Sequence, residues 1–123
     1  KLNRCIASVN QKLENYFFDQ ATQEAYEFFW KEFCSYYLEL SKPILFRKTG
    51  SLEDFKNKQK LLVILLCQSI RLIHPMAPFI TEELFQLLKE RLGTLEKPTL
   101  NRDPYTQEAI HALNAKACLV SPY

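Results

Sequence analysis

The chain has 123 residues, 47% of them hydrophobic and 13% aromatic, with only two glycines and a formal net charge of +2. That length suits one domain around one core, and so few turn residues argue for helices packed through large side chains rather than strands and turns. Sixteen Lys and Arg against fourteen Asp and Glu do not announce nucleic acid, but basic residues that share a face can hold phosphate locally, within a Debye length of about 8 Å.

Cys5, Cys34, Cys67 and Cys118 stand far apart. They lack the close pairs of zinc or redox sites and read as reduced thiols of a cytosolic protein. There is no long apolar run, signal peptide or lipidation motif. The chain opens on Lys1 rather than Met, as expected of a piece of a longer polypeptide.

Leu2, Cys5, Ile6, Val9, Leu13 and Phe17 recur at three- and four-residue steps and predict an amphipathic first helix ending near Phe17-Phe18. Asp19 is the expected N-cap of the next. The second helix is predicted from about Gln20 to Leu40 or slightly beyond. Its apolar arc comprises Ala21, Ala25, Phe28, Phe29, Phe33, Tyr36, Tyr37 and Leu40, with Tyr26 and Trp30 beside it. Glu32 and Glu39 lie on the edge of that arc, where a pairing with a base such as Arg71 is the plainest role for them.

Pro43 is expected to stop or kink this helix, and Arg47-Lys48-Thr49-Gly50 to form a basic loop. Ser51-Leu52-Glu53-Asp54 matches a capping box and opens a third helix. Its main stripe is Phe55, Leu62, Val63, Leu66, Ile70 and Ile73, widened by Leu61, Leu65 and Leu72, while Lys56, Lys58 and Lys60 fan out over different faces.

Pro75 and Pro78 then define a corner. The residue before each proline is pushed out of helical geometry and Pro78 suits a first helical position, so His74 should leave the third helix and Pro78 open the fourth. Glu82 and Glu83 are expected in the first turn of that helix, with Ile80, Leu84, Leu87, Leu88 and Leu92 facing inward and Gly93 ending it. Beyond it, Asp103-Pro104 could open a short helix to about Asn114, and Ala117 to Val120 is an apolar run.

No glycine-rich phosphate loop, nucleophile elbow or spaced metal ligands occur, so no catalytic or metal residue is assigned. His74, beside a proline at a helix end, reads as a capping or hydrogen-bonding residue rather than a general base.

The string His74-Pro-Met-Ala-Pro-Phe-Ile-Thr-Glu-Glu-Leu-Phe resembles the corner in the anticodon-binding helical bundle of class I aminoacyl-tRNA synthetases of the valine, isoleucine and leucine group. Tyr26-Glu-Phe-Phe-Trp-Lys-Glu-Phe-Cys-Ser-Tyr-Tyr-Leu-Glu-Leu-Ser-Lys-Pro is similar to the valine branch of that family, whose segment reads Phe-Cys-Asp-Trp-Tyr-Leu-Glu followed by Lys-Pro. The isoleucine branch tends to end in Lys-Asp. The closing Leu119-Val120-Ser121-Pro122-Tyr123 also falls in the expected order, so the resemblance spans nearly the whole chain.

It implies an all-α antiparallel bundle of four main helices that contributes tRNA recognition to a monomeric, cytoplasmic ligase. The parent enzyme would use ATP and Mg²⁺ in a separate domain whose His-Ile-Gly-His and Lys-Met-Ser-Lys-Ser type motifs do not occur here. The bundle's usual first helix, with its Arg-Asn-Phe and Lys-Leu-Trp-Asn pattern, is likewise not found, so the piece should be truncated at its N-terminal side. Ser35 stands where the family usually has Asp, Tyr36 where it has Trp, and Phe85 where it has Trp or Tyr. The stretch 94–116 is longer than the family implies and is read as a surface insertion.

For RNA contact the candidates are Tyr36 to stack on a base, Glu39 and Lys42 for polar contact, and Arg47 with Lys48 for phosphate. The competing role for Tyr36 is core packing, and for Lys42 simple solvation. Two alternatives to the valine branch stand beside this reading: the isoleucine branch, and a helical module that binds a partner helix with no RNA role.

Overall fold

The computed structural model describes residues 1–94. The short helix expected from Asp103-Pro104 to about Asn114, the apolar run at 117–120, the closing 119–123 and all of the suspected insertion past Thr94 lie outside the described residues. Every regular element among those described is helical, as the all-α expectation required. The helices are α1 (Leu2–Glu14), α2 (18–45), α3 (Leu52–Ile73) and α4 (Pro78–Thr94). Contacts gather the chain into two compact units that divide between Leu65 and Leu66.

In the first unit α1 runs antiparallel to α2, since Lys1 pairs with Glu32 while Lys12 pairs with Glu24. Cys5 and Val9 of α1 are buried, as are Ala21, Ala25, Phe33 and Ser41 of α2. The expected end of α1 needs correcting. It stops at Glu14, three residues early, because Tyr16 adopts φ +61°. The Tyr16 N–H then donates to Leu13 O (3.1 Å) and the Phe17 N–H to Lys12 O (2.8 Å), closing the helix as a Schellman motif. Asp19 is not the cap of α2. The helix begins at Phe18 with Phe17 before it, and Asp19 sits inside the first turn, where its charge suits the helix dipole.

Helix α2 has three consecutive stretches: α-helical Phe18–Glu27, π-helical Phe28–Leu38 and α-helical Glu39–Leu45. Its fully buried positions, Ala21, Ala25, Phe33 and Ser41, stand at multiples of four residues, and half-buried Phe29 and Tyr37 continue the line between them. In an α-helix four residues overshoot a turn by about 40°, whereas i→i+5 bonding turns less per residue and undershoots. The π stretch thus holds a four-residue repeat in one line. Ser35 marks it, its hydroxyl donating to the carbonyl of Trp30, five residues back, at 2.8 Å. Tyr36 and Leu40, expected inside, are 61% and 59% exposed.

Pro43 does not stop α2. The helix continues to Leu45 and closes by a second Schellman motif with Arg47 at φ +54°. There the Arg47 N–H donates to Ile44 O (3.0 Å) and the Lys48 N–H to Pro43 O (2.9 Å). The bond that proline removes lies in the last turn, next to carbonyls this cap satisfies. Gly50 at φ +91° then turns the chain into the capping box, where Ser51 N–H donates to Asp54 Oδ2 (2.8 Å) and Asp54 N–H to Ser51 Oγ (3.2 Å). Each of the two edge glutamates does pair with a base, though at the surface: Glu32 binds Lys1 and Glu39 binds Lys42, each at 2.6 Å.

The second unit holds the end of α3, the corner and α4. As the prolines dictate, α3 ends at Ile73 and Pro78 opens α4, with Thr81 N–H donating to Ala77 O at 3.2 Å. The core is Cys67, Ile70 and Phe85, packed by Leu66 and Leu88. Two expectations for α4 fail. No acidic residue lies in its first turn; with Pro78 first, Glu82 and Glu83 fall in the second turn, beyond the unpaired N–H groups.

The inward stripe is also rotated. Thr81 and Phe85 are buried, whereas Ile80, Leu84 and Leu87 are 57%, 43% and 44% exposed. Thr81 can go inside because its hydroxyl is satisfied locally, donating to Ala77 O at 2.6 Å. Phe85 follows one turn on and removes more apolar surface from water than a leucine would. Leu92 lies outside the residues whose side chains are described. The helix runs through Gly93 to Thr94, one residue past its expected end.

Candidate nucleic-acid interface

The near-neutral total conceals a local excess. Between Lys42 and Lys60 stand six Lys or Arg (Lys42, Arg47, Lys48, Lys56, Lys58 and Lys60) and only two acids, Glu53 and Asp54. Asp54 is already engaged by the Ser51 backbone N–H and hydroxyl, which hold its carboxyl below the usual range. By contrast an open groove beside the first half of α2 is lined by Asp19, Glu24 and Glu27 with one lysine, Lys12. The first unit is therefore polarised along α2, and a polyanion is drawn to the C-terminal end of that helix.

Three large apolar side chains at that end face solvent: Tyr36, Leu40 and Phe46, the last 68% exposed. The exposure of Tyr36 excludes the core-packing role, and Lys1 Nζ lies 5.9 Å from its ring centroid. Glu39 and Lys42 form an exposed ion pair one turn on, so Lys42 is held by its neighbour rather than simply solvated. Lys48 is exposed in the loop. The guanidinium carbon of Arg47 lies over the ring of Phe55, 4.9 Å from its centroid, and Lys58 Nζ stands over Tyr37 at the same distance. All five candidate residues thus occupy the last third of α2 and the loop that follows it.

A recess of about 120 Å³ opens in this loop, lined by apolar Ile44, Leu52 and Phe55 together with Arg47, Thr49, Gly50 and Ser51. Phe46 and Phe55 are not among the RNA-contact candidates named from sequence, which places Phe55 on the apolar stripe of the third helix. The available signal for Phe46 was a large aromatic directly before the basic loop, past the end of the predicted helix. Conversely Phe85, at a family aromatic position, is wholly buried and offers no stacking face.

Nucleophilic chemistry finds no support. Burial pushes the Cys5 thiol up to about 11, aided by Glu24, and raises those of Cys34 and Cys67 as well. Among the described residues no group of three or more His, Cys, Asp or Glu is placed to hold a metal ion, and no helix is long and apolar enough to cross a membrane. The arrangement can present aromatic faces to unpaired bases and cations to the phosphates around them.

Comparison with known proteins agrees with that chemistry. Residues 1–118 match the family described as the anticodon-binding domain of tRNA ligase. The chain is 66% identical, over 99% of its length, to a protein named valine–tRNA ligase from Protochlamydia amoebophila (strain UWE25). It is 41% identical over 98% to that of Chlamydia felis and 40% identical over 100% to that of Chlamydia trachomatis serovar L2. It spans about 13% of the length of each of these relatives. No solved structure matches. A helical chain with a basic, aromatic helix end, matched from its first residue to residue 118, is a member of the anticodon-binding domain family of tRNA ligases.

Proposed function

We propose that this chain is the anticodon-recognition part of a valine–tRNA ligase, which attaches valine to tRNA(Val) using ATP and Mg²⁺. The observation that carries the reading is the 66% identity to a protein of that name over nearly all of the chain. The three relatives above share the valine name, which favours valine over the isoleucine branch. The polarised, aromatic end of α2 favours RNA over a partner helix.

In this reading residues 1–123 form one anticodon-binding module, acting in the cytoplasm as part of a monomeric ligase. Its partners are tRNA and the remaining domains of the same polypeptide. Tyr36 stacks on an anticodon base, Glu39 and Lys42 make polar contacts, and the loop of Arg47 and Lys48 meets the RNA backbone beside it. ATP and Mg²⁺ belong to the catalytic part of the ligase.

The test is filter binding of tRNA(Val) and tRNA(Ile) transcripts to the full-length polypeptide carrying this chain, at 50 and 200 mM salt. The expected result is tighter binding of tRNA(Val), weakening steeply with salt. Equal binding of both transcripts, or indifference to salt, would sink the reading.

A further inference from the structure

The Arg47 side chain is usually expected, as a loop cation, to meet a phosphate. Its geometry here is that of a surface prepared for something flat. The left-handed backbone at φ +54° is fixed by two cap hydrogen bonds, from Arg47 N–H to Ile44 O and from Lys48 N–H to Pro43 O. From that backbone the side chain lies across the Phe55 ring, with Cζ 4.9 Å from the centroid. Phe55 is itself half-buried on the first turn of α3, so the guanidinium is held over an aromatic ring, while Arg47 as a whole stays exposed. Beside it opens the recess, with Ile44, Thr49 and Leu52 among its lining residues.

Guanidinium planes stack on unpaired nucleobases as aromatic rings do, and a planar cation already layered on a ring loses little freedom when a base is added. We infer that Arg47 is a stacking platform for an unpaired RNA base, in the order Phe55, Arg47, base, with the adjacent recess taking the base edge, and that the phosphate contact of this loop falls to Lys48. This assignment rests on the tRNA reading above and refines it.

Charge and planarity separate the two roles, because lysine keeps the first and loses the second. Arg47→Ala, Arg47→Lys, Arg47→Gly and Lys48→Ala are made in the full-length polypeptide, and tRNA(Val) affinity is measured at 50 and 200 mM salt. A platform predicts that Arg47→Lys loses about tenfold, nearly as much as Arg47→Ala, with the salt slope close to wild type. Lys48→Ala should instead lose more at low salt and lower the slope by about one. Arg47→Gly guards against misfolding: it relieves the left-handed backbone and should melt above Arg47→Ala while binding equally poorly. If Arg47→Lys binds within twofold of wild type while Arg47→Ala lowers the salt slope, Arg47 is a phosphate contact and the platform is wrong. Failure of the tRNA reading itself looks different, since the wild-type protein would then not prefer tRNA(Val) before any variant is made.

Discussion

His74 Nδ1 lies 2.8 Å from Thr81 Oγ1 across the corner between α3 and α4. Thr81 has one hydroxyl proton, and it is directed to Ala77 O at 2.6 Å and, more distantly, to Pro78 O at 3.2 Å. The histidine must therefore be the donor, with its proton on Nδ1. One hydroxyl so ties the residue leaving α3 to the first turn of α4. This histidine holds the corner.

Removing that hydroxyl at nearly constant volume tests its role. Thr81→Val should cost about 1–3 kcal/mol, because the half-buried His74 N–H loses its acceptor, while Thr81→Ser should cost less. Urea denaturation of the chain measures both.

The rotated face of α4 gives a sharper contrast. Phe85 is wholly buried and Leu84 is 43% exposed, so Phe85→Ala should destabilise by about 3–5 kcal/mol and Leu84→Ala by less than about 1 kcal/mol. The reverse order would restore the stripe that hydrophobicity alone suggests.

Tyr16 carries the left-handed backbone that ends α1. Its ring meets Phe18 edge-on at 6.0 Å, so the clean comparison is between two variants that both lack the ring. Tyr16→Gly should be more stable than Tyr16→Ala by about 1 kcal/mol, the usual penalty of a Cβ in this conformation. Thermal melting of the pair decides it.

The acid limb of the stability curve should report Glu24. Its carboxylate accepts from Lys12 and from Ser8 Oγ (2.7 Å), and the bond to Lys12 is the main cause of its lowered pKa. A carboxyl with a depressed folded pKa stabilises fully above its ordinary value of 4.5, and that contribution fades as pH falls through the folded value. Glu24→Gln should therefore narrow the difference in stability between pH 6 and pH 3, as read by urea midpoints.

At the interface, Tyr36→Leu should weaken tRNA binding about tenfold, the scale of one stacked base, whereas Tyr36→Phe should bind nearly as wild type. An unchanged affinity for the leucine variant would remove Tyr36 from the site.

Much was legible before any coordinates because it is local. Helical repeats, the Ser51–Asp54 capping box and the paired prolines at 75 and 78 act within a few residues, through sterics and hydrogen bonds that neighbours in sequence supply. What the tertiary structure decided was which stripe of each helix goes inside. Adjacent stripes differ by about 100°, and hydrophobicity alone preferred Ile80 and Leu84 to Thr81 and Phe85. The choice turned on the bond to His74 and on the packing of Cys67 and Ile70. The same holds at the candidate site. Sequence named Tyr36, Glu39, Lys42, Arg47 and Lys48, but the exposure of Tyr36 follows from a π-helical stretch that keeps Phe33, Tyr37 and Ser41 in line. The placement of Arg47 on Phe55 follows from a left-handed turn that no residue type there announces.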